Sequence, residues 1–367
     1  MSRVIYRIDL AQLAANFAVL QRAAGLCKLM PVLKYDAYAL GAMQIGAALK
    51  KAGAFRFAAA TLDEALELQK LALPVQILGL LPANEIAETV RAGIIAPVAN
   101  METAQALSRE ACRQNTPVRI AVKLDTGMGR AGFPALDAAG TAQQIAELMK
   151  LPGLQPDSLF AHFSTASQPD LFFAELQMRR YREVYDLLTR AGIDFPYRHH
   201  AAGDAVMKLP GAIAEPFNMA RPGGTMYGEE FHTPCRQIVE LLTFIGDIRE
   251  IPAGGSINYF RTFIAPRPLR VAVLTAGYAD GIPLALSNRG QVIIAGKKCP
   301  ILGRVTMDYT VVDVTEVPEA AVGMEAILLG RRGDAEISVG DWGRLKNTHG
   351  HDIWCAIGNR VKREYAG

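Results

Sequence analysis

Between about Lys28 and Gly224, short apolar runs alternate with stretches of helical spacing, and this alternation constrains the fold more than any other feature. The strand candidates are Leu29–Leu33, Phe55–Ala60, Val75–Leu80, Ile94–Val98, Val118–Leu124, Ser158–Phe163, Arg198–Ala202 and Asn218–Arg221. Most are separated by Ala/Leu/Glu/Gln-rich segments such as Leu62–Leu71, Ala83–Ala92 and Glu102–Arg113, with helical periodicity and few breakers. Parallel neighbours need a crossover, so strands alternating with helices predict a parallel sheet. Eight such strands in about 200 residues fit a compact (β/α)8 barrel. A doubly wound open sheet shows the same alternation, and periodicity alone does not separate the two.

After about Cys235 the texture changes. Val/Ile-rich runs (Ile238–Ile245, Leu269–Leu274, Gln291–Ile294, Tyr309–Val314, Ala326–Leu329) are split by Gly- and Pro-bearing turn signals. This reads as a separate domain of antiparallel strands. The expected fold class is α/β: an N-terminal TIM-type barrel over residues 11–235, then a mostly-β domain over 236–367. A chain of 367 residues has room for both cores.

Composition narrows the function classes. A net charge of +3 without a dense Lys/Arg run gives no nucleic-acid footprint. The five cysteines are scattered and form no CxxC pair, which favours reduced thiols over disulfides or a zinc site. The opening residues lack the apolar core of a signal peptide, and no run of about 18 uncharged apolar residues is present. The expectation is a cytoplasmic protein that makes no membrane contact.

Barrel enzymes place their chemistry at the C-terminal ends of the strands. Lys34 follows the first apolar run, and Lys123 lies near the end of the fifth, leading into Asp-Thr-Gly-Met-Gly-Arg130. His162 ends the sixth, His200 lies on the seventh, and Arg221 with Gly223 and Gly224 ends the eighth. Taken singly, Lys34 reads equally as a snorkelling surface lysine and His162 as a satisfied core histidine. Their convergence at one barrel mouth is hard to explain by packing. A lysine directly after Leu29–Leu33 is expected to be partly desolvated, which frees an amine as a nucleophile. Two glycines after the last strand let backbone N–H groups approach a phosphate. The stretch Gly127-Met-Gly129-Arg-Ala-Gly132 satisfies GxGxxG, but it sits mid-chain and Phe133-Pro134 is a poor helix opening, so a dinucleotide site is not expected.

Lys34-Tyr-Asp-Ala-Tyr38-Ala-Leu-Gly41 resembles the segment through which alanine racemases hold pyridoxal phosphate on a lysine. Lys123-Leu-Asp-Thr-Gly-Met-Gly-Arg130 is similar to their most distinctive internal motif. The segments beginning at His162, Arg221, Gly277 and Gly303 follow in the family's order, so the resemblance covers nearly the whole chain. It implies a pyridoxal-phosphate barrel followed by a β domain, with residues 1–10 pairing into that domain. It also implies a head-to-tail homodimer whose sites are completed by the partner's β domain, and a role for the product D-alanine in peptidoglycan.

For the site, the resemblance implies Lys34 and Tyr278 as bases on opposite faces of the substrate. A tyrosine ionises only near pH ~10, so such a base needs cationic neighbours. His162 and Arg221 are expected there, with His200 orienting Arg221 and His199 structural on the opposite face. Arg221 is implied to face the pyridine nitrogen. Arg130 is implied to hold the substrate carboxylate, helped by the Met307 N–H with Asp308 beside it. Lys123, next to Arg130, is implied to be carbamylated. Tyr38 and the amides of Gly223 and Gly224 would hold the phosphate.

The departures concern the same groups. The family's His-x-Ala-Asn-Ser, whose serine binds phosphate, is aligned with His200-Ala-Ala-Gly203-Asp204, which loses a hydroxyl donor and adds a carboxylate. The amides of Gly203 and Asp204 remain as donors. His351 stands where the family has tyrosine, which widens the pocket and opens the question of strict alanine specificity. His349 and His351 lack a third ligand at metal-site spacing, so no metal is expected. A racemase of serine or another small amino acid is the nearest alternative. A pyridoxal-phosphate decarboxylase would put a carboxylate where Arg221 stands. A non-enzymatic pyridoxal-phosphate carrier barrel would lack Tyr278 and Met307-Asp308. A nicotinamide oxidoreductase would rest on the glycine motif alone.

Overall fold

The structure is a computed structural model and describes residues 2–228 and 233–367. The chain divides into two compact units. One runs over Ala14–Ala37 and Ala42–Met226; the other comprises the chain up to Leu13, Tyr38–Gly41 and the chain from Tyr227 onward.

The first unit is a closed ring of eight parallel strands. In chain order they are Lys28–Leu29, Phe57–Ala59, Val75–Ile77, Ala96–Val98, Val118–Asp125, Leu154–Phe160, Tyr197–His199 and Met219–Ala220. Regular ladders join second to third, fourth to fifth to sixth to seventh, and eighth to first. Single parallel bridges at Val32↔Ala58, Gln76↔Ile95 and Ala202↔Arg221 close the remaining seams. The open-sheet alternative is thereby excluded. The ladders are shorter than the apolar runs because strands tilted in a barrel pair over only part of their length. Side chains fill the interior, with Met30, Val32, Ala58 and Met219 in one cluster and Ile95, Ala121 and Phe160 in another. The larger of these, the Met, Val, Ile and Phe side chains, each contribute roughly 1.5–3 kcal/mol by leaving water.

The crossover helices follow local signals. Thr61 and Glu64 form a capping box before Leu62–Gln69. Asn100 caps Met101–Gln114, which ends on left-handed Asn115. One connection carries no such signal. After the first strand, Tyr35, Asp36, Ala37, Tyr38 and Ala39 all adopt positive φ, between 50° and 63°, in a short left-handed helical turn. Left-handed helix costs L-residues about 1–2 kcal/mol each, so this segment is held from outside. The Glu64 carboxylate accepts from Tyr35 N at 2.6 Å and Ala60 N at 2.8 Å, and Asp36 accepts from Ala42 N at 2.6 Å.

The second unit is built on Val239–Ile251, a strand of 13 residues. It pairs antiparallel with Val4–Asp9, Leu269–Leu274 and Glu325–Arg332. Its register slips between Ile245 and Asp247, a bulge that carries the strand from its ladders with Val4–Asp9 and Glu325–Arg332 into the one with Leu269–Leu274. Val4–Asp9 also pairs parallel with Lys362–Ala366, so both chain ends lie in one sheet. Within this unit Arg363 donates to the Ala39 carbonyl and the Tyr365 hydroxyl to the Leu40 carbonyl. Among the described residues, no helix is long and apolar enough to cross a membrane.

Candidate active site

Strand alternation sends every second side chain into the barrel, and at its C-terminal end this places Lys123, Phe160, His199 and Arg221 together. The Lys123 Nζ and the Arg221 guanidinium each lie 5.7 Å from the Phe160 ring centre, and His199 stacks on that ring at 5.3 Å. Arg221 is 3% exposed. Its guanidinium donates to the carbonyls of Ala161 (2.7 Å), His199 (3.0 Å) and His200 (3.0 Å). It also donates to Nδ1 of His162 at 3.2 Å and, in a very short contact, to Nδ1 of His199. A guanidinium only donates, so both rings accept at Nδ1 and carry their proton on Nε2.

Two expectations change here. His199, not His200, orients Arg221. The strand period turns the His200 ring outward, where it stacks 3.6 Å from Phe163 and meets the Thr126 hydroxyl at 3.4 Å. With His199 as the motif's histidine, its serine falls on Gly203 instead of Asp204. His162, moreover, is not a cation. Burial, reinforced by Arg221, Arg130, Lys123 and Lys34, pushes it from 6.5 down to about 3. Arg221 is itself pulled to about 9 by burial, with Tyr181 opposing and Arg130 reinforcing, and so remains charged at neutral pH.

Lys123 is 7% exposed, and burial with repulsion from Arg130 and Arg221 lowers it to about 8 against the pull of Asp125. Asp125 is occupied by the backbone N–H groups of Gly127, Met128 and Gly129. The glycine-rich stretch is thus a carboxylate-centred turn; the strand Phe133–Pro134 follows it directly, and the next helix begins only at Ala138. Arg130 is exposed. Lys34 is exposed too, against expectation, because the buried run stops at Leu33 and the left-handed turn begins at once. Gly203, Asp204, Gly223 and Gly224 lie where the last two strands end, beside the Ala202↔Arg221 bridge.

In the β unit, Tyr278 opens a short 3-10 turn, Tyr278–Asp280, and is 43% exposed. Tyr278 N donates to the Thr306 carbonyl at 2.9 Å and Ala279 N to the Met307 carbonyl at 3.1 Å. Gly277 permits this approach, since a Cβ there would stand 2.2 Å from the Thr306 oxygen. Arg360 ties the two loops together, donating to both carboxylate oxygens of Asp280 (2.7 and 2.8 Å) and to Asp308 (2.8 Å). Tyr38 packs in the same unit against His351 (4.9 Å), Tyr227 (5.5 Å) and Trp354 (6.3 Å).

Sequence reasoning missed Glu64, Gln177 and Arg360 as supports. Glu64 was visible as the capping partner of Thr61. Buried Gln177 bridges the His162 carbonyl, the Thr126 hydroxyl and Ser164, and nothing local marked it.

The model of the alanine racemase N-terminal domain matches residues 8–230, and that of the C-terminal domain matches residues 238–365. The chain belongs to the alanine racemase family. As a member it is an amino-acid racemase, an isomerase, and the family's cofactor is pyridoxal phosphate. Alanine racemase 2 of Caldanaerobacter subterraneus subsp. tengcongensis is 35% identical over 98% of this chain and 93% of its own length. The alanine racemase of Halothermothrix orenii is 34% identical over 98% and 95%. The crystal structure of alanine racemase from Streptomyces lavendulae superposes with a TM-score of 0.93 at 31% identity, over 100% of this chain and 98% of that one. The donor chemistry of the racemase barrel fits an anionic cofactor. Arg221 is a buried cation, and among the described residues its hydrogen bonds go to carbonyls and imidazoles, with no carboxylate to neutralise it.

Proposed function

We propose that the chain interconverts L- and D-alanine with pyridoxal phosphate, using Lys34 and Tyr278 as the two bases. The observation that carries this reading is buried Arg221, clamped by neutral histidines and carbonyls at the mouth of the barrel. Lys34 would hold the cofactor covalently, Arg221 would face its pyridine nitrogen, and Tyr38 with the Gly223 and Gly224 amides would hold its phosphate. When bound, the cofactor supplies a conjugated ring that spreads the negative charge left at the substrate Cα. A guanidinium stays charged and only donates, so it gives the ring nitrogen no proton; that limits the electron sink and favours returning the proton to Cα.

Arg130 would bind the substrate carboxylate with the Met307 N–H, Asp308 lying beside it. Lys123, lowered to about 8, has an appreciable neutral fraction near that pH, and a neutral amine can take up carbon dioxide. Carbamylation would turn its clash with Arg130 into an attraction. Tyr278 would be supplied by a second copy of the chain in a head-to-tail homodimer. His162, with its proton on Nε2, would be a neutral donor there. Among the described residues no disulfide joins the five cysteines, which is consistent with a cytoplasmic enzyme supplying D-alanine for peptidoglycan. A second reading, broader acceptance of small amino acids such as serine, is favoured by His351 in place of tyrosine.

The test is D-alanine formation from L-alanine, with the visible spectrum recorded before and after borohydride. The expected result is a band that reduction abolishes and fixes on Lys34, with turnover lost in Tyr278→Phe. A band without alanine turnover moves the assignment to another amino acid. Absence of any band overturns the pyridoxal-phosphate reading.

A further inference from the structure

At residue 203 the chain has no side chain, and the space is taken. A Cβ built on Gly203 would stand 2.4 Å from Oγ1 and 2.5 Å from Cβ of Thr225. These are inner atoms of a branched, buried side chain, 5% exposed, and they cannot swing aside. Gly203 and Thr225 are therefore sterically coupled: a side chain at one excludes that at the other. The hydroxyl that Gly203 lacks is delivered to the same place from the neighbouring loop.

That place lies beyond the seventh and eighth strands, which the Ala202↔Arg221 bridge and the Arg221 N to Ala201 carbonyl bond (2.9 Å) hold side by side. In (β/α)8 barrels the loops after these two strands frequently form a phosphate site. The Thr225 hydroxyl now donates to Oδ1 of Asp204 at 3.1 Å, the partner a buried hydroxyl needs. A hydroxyl rotates about one bond, so it can transfer its proton contact to an incoming phosphate oxygen without losing a hydrogen bond. Asp204 is only partly buried and can turn its freed oxygen to water.

We propose that Thr225 supplies the side-chain hydroxyl that grips the cofactor phosphate in this chain, and that Asp204 weakens the grip by competing for that hydroxyl and repelling the anion. The inference rests on the pyridoxal-phosphate reading above.

The experiment measures dissociation constants of the apoprotein by tryptophan fluorescence, for pyridoxal phosphate and for pyridoxal, which lacks the phosphate. Thr225→Val keeps the volume and removes the hydroxyl; it weakens pyridoxal phosphate about tenfold or more and leaves pyridoxal unchanged, as expected for a hydrogen bond to a charged group. Thr225→Ser retains affinity near that of the parent. Gly203→Ser alone weakens binding through the clash, and Gly203→Ser/Thr225→Ala recovers it. Asp204→Asn keeps an oxygen for Thr225 while removing the charge, and tightens pyridoxal phosphate about threefold or more. Parental affinity in Thr225→Val, or equal losses toward pyridoxal and pyridoxal phosphate, overturns the role of Thr225. Unchanged or weaker binding in Asp204→Asn overturns that of Asp204. Failure of the parent to bind either compound overturns the cofactor reading and the inference with it.

Discussion

Among the described residues Arg221 makes five hydrogen bonds while almost wholly buried, and the identity of its side-chain partners has a measurable consequence. Three are backbone carbonyls, which mutation does not remove. The two imidazoles are replaceable. His199→Leu strips the acceptor from a buried N–H and is expected to cost about 1–3 kcal/mol of folding stability, with a fall in kcat. His200→Phe keeps a ring stacked on Phe163 and gives up a long contact to Thr126, so its cost is expected below about 1 kcal/mol with kcat near parental. Urea unfolding and initial rates check both; equal losses at the two positions would put the assignment of His199 in error. Reading His199 as a histidine on the opposite face was a register error of one. Strand period fixes which residues alternate, but which of two adjacent histidines faces inward depends on the barrel's shear.

The left-handed turn after the first strand is the element on which the lysine's position depends. Five consecutive L-residues in that conformation store strain, and Glu64 with Asp36 holds the part that lies within the barrel. Ala37 sits in it at φ 52° with its side chain fully buried. Ala37→Gly is expected to raise stability by about 1 kcal/mol, because glycine enters this region without the Cβ penalty. Glu64→Ala is expected to act oppositely, lowering stability and the rate at which the apoprotein captures pyridoxal phosphate on Lys34. Thermal unfolding and stopped-flow absorbance read the two effects; a destabilised Ala37→Gly would mean that the lost methyl packing outweighs the relieved strain. No sequence signal announced this turn, since it contains no glycine or asparagine. Its cause is long-range: a carboxylate 29 residues further along the chain.

At the scale of the molecule, the histidines at the end of the barrel set an acid limit. His162 is pushed to about 3, and burial puts His199 and His200 well below 6.5. In the unfolded chain each titrates near 6.5. Between that pH and about 3 the unfolded state therefore binds more protons, so stability falls as pH falls. The contribution is complete above about pH 6.5 and is lost progressively below it. Urea midpoints at pH 7.5, 6 and 5 are expected to decline, and the decline is expected to be shallower in His199→Gln/His200→Phe. An equal slope in that variant would assign acid sensitivity to other groups. Much of this organisation was legible beforehand. The alternation of apolar runs and helical segments specified eight strands with helices between most of them, and the spacing of polar residues put Lys123, His162 and Arg221 at strand ends. Those properties are local, set by side-chain periodicity and by where each apolar run stops. Only the tertiary structure decided that the sheet closes into a ring, that His199 holds Arg221, that His162 is neutral, and that Thr225 fills the space above Gly203. Each of these depends on atoms far apart in the chain meeting out of water, where closure, hydrogen bonding and burial are settled by neighbours that no short stretch of sequence contains.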